Sequence, residues 1–146
     1  MLGDLAKEIK LSDSEKQIVK SRTTGISFSK LELVDTLVDE MILRLVSICG
    51  CNLPNTDIFA RFIADEISNF ILEFGYSEYT MDEILLAFRL NARGGNKNPN
   101  GEEIERVQFF GNCLNVDYVA RVLENYRTIR NLLDRKIQNK LDGYEL

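Results

Sequence analysis

Arg89, Asn91 and Arg93 fall together near the end of the stretch YTMDEILLAFRLNARGG, and Lys97 follows in GGNKNPNG. Arg121, Arg127 and Arg130 recur further on, ahead of Arg135, Lys136 and Lys140. Guanidinium and ammonium groups on one surface can contact a phosphate backbone, and a nearby Tyr118 or Tyr126 can stack on a base. The candidate nucleic-acid-binding set is therefore Arg89, Arg93, Lys97, Arg121, Arg127 and Arg130. An ordinary explanation competes with this one, because cations in the last turn of a helix are stabilised by its dipole. Arg89 and Arg93 stand four apart and repel slightly, so mutual pairing does not account for them. Asn91 lies on the side of Ile84 and Phe88, where a buried amide must find hydrogen bonds. It reads as a tie between the helix end and the loop.

The acidic residues are unevenly placed. The net charge is −5, yet residues 30–90 carry 4 basic against 11 acidic side chains, and residues 91–140 carry 9 basic against 6 acidic. One part of the chain can face a basic protein and the other a phosphate backbone; a solvated surface with uneven charge is the plainer alternative. Asp35, Asp39, Asp65 and Glu66 are the candidate partner-binding residues. The neighbouring acids Asp39–Glu40, Asp65–Glu66 and Asp82–Glu83 point in different directions on a helix, so they are not catalytic dyads and read as solvent-facing.

Catalytic chemistry has little to draw on. The chain has no histidine, which removes the commonest general base and the commonest zinc ligand. It has neither a GxxxxGK[ST] loop nor a GxGxxG after a strand, and GGNKNPNG lacks the strand and the Ser/Thr that a nucleotide loop needs. Cys49, Cys51 and Cys113 are too few for a structural zinc site and read as small buried hydrophobes. The expectation is no enzyme, no catalytic residue, no metal and no cofactor. An odd cysteine count and a start that is charged from its fourth residue argue against a secreted disulfide framework. No apolar run approaches the ~20 residues that span a bilayer. The expected setting is the cytoplasm, with no membrane contact.

Helices must position these groups. Only two prolines and nine glycines interrupt 146 residues, which favours helices over strands and turns. Ser12 and Glu15 form a capping box before a short helix from about Asp13 to Lys20, laid over the core as an arm or mobile, and residues 21–28 read as a linker. Leu31, Val34, Val38, Met41, Leu45 and Ile48, widened by Leu37, Ile42 and Val46, make a broad helical stripe that stops at Gly50. Phe59, Phe62, Ile63, Ile67, Phe70, Ile71 and Phe74 form the expected apolar face of a second long helix, ended by Gly75. Thr80 and Glu83 cap a third, with Met81, Ile84, Leu85 and Phe88 inward and Gly94 as its stop. EEIERVQFFGNC suggests one or two helical turns anchored by Phe109 and Phe110, with strand as the alternative. From Asn115, the expected cap, Val119, Val122, Leu123, Tyr126, Ile129, Leu133 and Ile137 make a stripe along about 24 residues, some 36 Å of helix.

The predicted architecture is all-α: a single compact bundle of about five helices with a long C-terminal helix. Residues 1–28 form a short helix and linker, 29–140 the helical domain and 141–146 a frayed tail. The far end of the last helix is free to meet a partner or to form a homodimer.

Residues 76–130 also resemble small accessory replication proteins, of the helicase-loader-like kind, from bacteriophages of Bacteroidetes. The resemblance rests on Thr80, Glu83, Ile84, Ala87, Phe88 and Arg89, then Tyr118, Leu123, Tyr126 and Arg130. It covers a little over a third of the chain. It implies a non-ATPase adaptor between a replicative helicase and single-stranded DNA. A structural or regulatory protein–protein module without nucleic acid is the alternative.

Overall fold

The computed structural model describes residues 10–31, 35–98 and 101–145. Among them, five α-helices succeed one another: α1 Asp13–Thr24, α2 Asp35–Cys49, α3 Asp57–Glu73, α4 Met81–Arg93 and α5 Val116–Glu145. A 3-10 turn at Phe28–Leu31 joins α1 to α2. The described residues form no sheet, only isolated bridges, so the all-α bundle is as expected.

The capping boxes set the starts of α1 and α4. Ser12 Oγ accepts from the Glu15 N–H at 3.2 Å, and Glu15 Oε1 accepts from the Ser12 N–H at 2.9 Å. At α4 the Thr80 hydroxyl accepts from the Glu83 N–H at 3.0 Å, and Glu83 Oε1 accepts in return from the Thr80 N–H at 3.4 Å. Thr80 also reaches outward, its hydroxyl donating to the Ser21 carbonyl on α1 at 2.8 Å. A Cβ at Gly25 would lie 2.7 Å from that of Thr80, so only glycine permits this approach.

The supposed linker at residues 21–28 is ordered structure. α1 runs one turn past Lys20 because Ile18 and Val19 are buried and the Thr24 hydroxyl bonds the Lys20 carbonyl at 2.7 Å. Residues 26–29 then lie along residues 77–81, with the Phe28 N–H on the Tyr79 carbonyl at 2.8 Å and the Ser29 N–H on the Ser77 carbonyl at 2.9 Å.

α4 is the axis of the bundle and packs against α1, α2 and α5. Its buried residues run from Glu83 through Phe88 and on to Leu90 and Asn91, so it is covered nearly all round. α2 contributes Val38, Met41, Ile42 and Leu45 to the core, while Leu37 stays at the surface and Val34 lies outside the described residues. α3 buries a narrow stripe of Ala64, Ile67, Ser68 and Ile71. Phe59, Phe62 and Phe74, expected inside, are 59%, 61% and 63% exposed, because no element among the described residues covers those sides of α3.

Residues 104–110 form neither helix nor strand. Phe109 packs edge-on against Tyr118 at 5.0 Å, but Phe110 is 79% exposed and anchors nothing. Asn115 caps α5, its Oδ1 accepting from the Tyr118 N–H at 2.9 Å. α5 is 30 residues long, about 45 Å, and continues through residues 141–145, which were expected to fray. Its apolar stripe is buried in this chain's own core as far as Ile137, so residues 138–140 are its exposed outer turn.

One buried polar cluster joins α4 to α5. The Glu83 side chain is 1% exposed, which overturns its reading as a solvent-facing acid. Its Oε2 accepts from Arg130 Nε at 2.8 Å and from the Tyr126 hydroxyl at 2.7 Å. The Arg130 guanidinium lies over the Tyr79 ring at 4.3 Å. Burial, with the Glu83 carboxylate beside it, holds the Tyr126 phenol above its ordinary range, so it remains a donor.

Removing one member of such a pair leaves the other charge buried and unmatched. Arg130→Ala is expected to lower the unfolding free energy by about 3–5 kcal/mol in urea denaturation. Combining Glu83→Gln with Arg130→Met should restore most of that loss, since neither buried charge then remains.

Candidate interaction surfaces

The end of α4, the following loop and the middle of α5 do form one surface. Arg93, Gly95, Asn96, Lys97 and Asn98 line a cavity of about 500 Å³ with Ile129, Leu132 and Lys136 of α5 and Ser12, Ser14 and Glu15 of α1. Arg93 Nη2 donates to Ser14 Oγ at 2.8 Å and to Asn96 Oδ1 at 2.9 Å, while Asn96 Nδ2 donates to the Leu90 carbonyl at 2.9 Å. Lys136 Nζ bonds the Lys10 carbonyl at 2.7 Å and Glu15 Oε1 at 3.1 Å. Lys97 is exposed at the rim. The α1 residues of this cavity were not foreseen, because an N-terminal capping sequence carries no mark of the surface it will join.

The other candidate cations do not gather there. Arg89 is exposed on α4 and does not line the cavity. Arg121 pairs with Asp117 on its own helix at 3.2 Å. Arg127 lies over the Tyr76 ring at 4.3 Å and donates to the Phe74 carbonyl at 3.4 Å. Arg130 is held by Glu83. Tyr118 and Tyr126 are 8% and 1% exposed, so neither ring is open to stack on a base.

Asn91 is the expected tie, and its mode is specific. Its Oδ1 accepts from the Val107 N–H at 2.9 Å and its Nδ2 donates to the Val107 carbonyl at 3.2 Å. The same amide nitrogen donates to the Tyr118 hydroxyl at 3.3 Å. One side chain thus satisfies both backbone groups of Val107, as a neighbouring strand would. With the Ile104 N–H on the Asn96 carbonyl and the Asn125 amide on the Glu105 carbonyl, it commits the backbone of residues 104–107 to partners outside a helix.

Of the three cysteines expected as small buried hydrophobes, Cys51 is buried and Cys49 and Cys113 are half-buried. Asn52 bridges to Cys113, and the Cys49 thiol lies near Cys51 and Tyr118. Burial pushes the Cys49 thiol up to about 11 and raises Cys51 as well, while burial and the neighbouring thiol push the Tyr118 phenol up to about 12. Raised thiols are protonated and unreactive near neutral pH. No group of three or more His, Cys, Asp or Glu among the described residues is placed to hold a metal ion.

The acidic side carries a second opening, between the outer faces of α2 and α3. This groove of about 720 Å³ is floored by Ile42, Leu53 and Ala64, walled by Leu43, Ile58 and Phe62, and rimmed by Asp39, Asp57, Asp65 and Arg61. Leu43 is 61% exposed and Ile58 69%. Asp39 pairs with Arg61 at 3.1 Å. Asp65 and Glu66 are exposed, and the side chain of Asp35 lies outside the described residues. Sequence reasoning named the acids but missed the apolar walls. The available signal was the crowding of Ile58, Phe59, Phe62 and Ile63, which spans more of the helix than one buried stripe can use. No helix among the described residues is long and apolar enough to cross a membrane.

Two outcomes follow. Asn91→Asp removes the donor to Val107 and should cost about 1–3 kcal/mol, with faster amide hydrogen exchange at Val107. The raised Cys49 thiol contributes stability that is complete below its unfolded value of about 9 and is lost as pH rises toward about 11. Denaturation at stepped pH should show this alkaline fall, and Cys49→Ala should reduce it without abolishing it, because Cys51, Tyr118 and Tyr126 are raised as well. Comparison with protein-family models, with curated proteins and with solved structures finds no match for the chain.

Proposed function

We propose that the chain is a non-enzymatic adaptor of the phage accessory replication kind, bridging a replicative helicase and single-stranded DNA. The observation that carries the reading is the separation of two chemically opposite surfaces on one helical frame. The α2–α3 groove is apolar and acid-rimmed, whereas the cavity between α4, α5 and the loop is lined by Arg93, Lys97 and Lys136 with a single acid, Glu15, which pairs with Lys136. The first suits a protein and the second a phosphate oxygen. The helicase and the DNA come from the resemblance over residues 76–130.

A purely protein-binding module is the second reading. It is favoured by the engagement of Arg121, Arg127 and Arg130 in contacts within the chain. The DNA-binding surface then reduces to the exposed Arg89, Lys97 and Arg93, whose own bonds are to the neutral Ser14 and Asn96, while Lys136 is paired with Glu15.

Titration of a fluorescent oligothymidylate separates the two. With about three phosphates neutralised, affinity should fall with a log–log salt slope of about −2. Arg89→Ala combined with Lys97→Ala should reduce both affinity and slope, because neither side chain is buried. No binding at low salt would leave the protein-only module. Arg130→Ala is a poor probe, since it acts through stability.

A further inference from the structure

We infer that the α2–α3 groove binds an amphipathic helix of another protein, one whose apolar face is bordered by lysine or arginine. This rests on the reading that the acidic side of the chain meets protein, and it names the kind of segment that fits.

The shape comes first. Leu43 on α2 and Ile58 and Phe62 on α3 stand largely exposed above a buried floor of Ile42 and Ala64. Ile58 and Phe62 are one turn apart, so they form a continuous wall along the trough. The small Ala60 and Ala64, also one turn apart, let an incoming backbone come close. A trough between two helices takes another helix readily, because a helix closes its own backbone hydrogen bonds and needs only apolar contact. The described residues offer no strand edge for an extended peptide to join.

Charge selects the occupant. The rim holds Asp39, Asp57 and Asp65 against Arg61, and Arg61 is already paired with Asp39. Residues 30–90 as a whole carry 4 basic against 11 acidic side chains, so the surrounding field favours cations. A second copy of this chain is the poorer fit. Its basic element is α5, whose apolar stripe from Val119 to Ile137 is buried in its own core.

The test uses the full chain and a labelled synthetic peptide of about 18 residues, roughly 27 Å when helical. The peptide contains only leucine and lysine, with leucines at helical spacing. One control has the same composition in scrambled order, and the other has glutamate in place of lysine. The patterned peptide should bind at least about tenfold more tightly than either control in fluorescence anisotropy. Ile58→Ser with Phe62→Ser should weaken it by a similar factor, and both positions are exposed enough to leave the fold intact. Asp57→Lys with Asp65→Lys should turn the preference toward the glutamate peptide.

Equal binding of the patterned and scrambled peptides, or none, would overturn the inference. So would a wild-type dimer in sedimentation velocity that Ile58→Ser with Phe62→Ser converts to monomer, because a second copy would then be the occupant. The oligothymidylate titration is independent of these outcomes. DNA binding without peptide binding removes this inference and leaves the adaptor reading; peptide binding without DNA binding does the reverse.

Discussion

The carboxylate of Glu83 is the constraint on which the bundle depends. From one buried position it closes the first turn of α4, accepts the Tyr126 hydroxyl and matches the Arg130 guanidinium of α5. A charge removed from water is tolerated only when its lone pairs are taken up and an opposite charge lies close. Those conditions fix the rotation of α5 about its own axis, since Tyr126 and Arg130 must both face α4. The apolar stripe of α5 then has one direction available, into the core. Thr80 extends the arrangement to α1 through the Ser21 carbonyl, so three helices are registered around one helix start.

Local features were legible in the sequence and distant ones were not. The capping residues of α1 and α4, the glycine stop at Gly94 and the stripe of α5 are each decided within a few residues, by hydrogen bonds and periodicity that a single segment contains. The burial of Glu83 was hidden, because the residue that makes it possible lies 47 positions away. Periodicity identifies an apolar face but does not say whether anything covers it, which is why Phe59, Phe62 and Phe74 were placed inside. The helical reading of residues 104–110 failed for a related reason. Propensity there competes with a side chain, Asn91, that supplies the backbone partners a helix would otherwise provide.

The candidate surfaces divide in the same way. Residue type and spacing marked the cations and the acids, but not which of them the fold would use for itself. Arg127 and Arg130 lie over tyrosine rings, and Arg130 is also an ion-pair partner. A guanidinium placed over an aromatic face loses little by leaving bulk water, which makes arginine suitable for the seam between two helices. Lys97, Arg89 and Arg93, which the fold does not bury, are what the basic side can offer a ligand. On the acidic side the apolar walls matter more than the charges. Desolvated contact supplies most of the affinity of a docked helix, and rim charges chiefly set its orientation and choice of partner.

The grip of Asn91 on Val107 has a further consequence. The long connection between α4 and α5 is tied to the bundle at three places, by Asn91 on Val107, by Asn125 on the Glu105 carbonyl and by the Asn52 N–H on the Asn112 carbonyl, all of them beyond the bridge from Lys97 to Glu103. Chain length between Lys97 and Glu103 is therefore uncoupled from the register of the helices. The connection can lengthen, shorten or accept a foreign segment without shifting either helix it joins, which makes it the natural point of variation in an otherwise interlocked molecule.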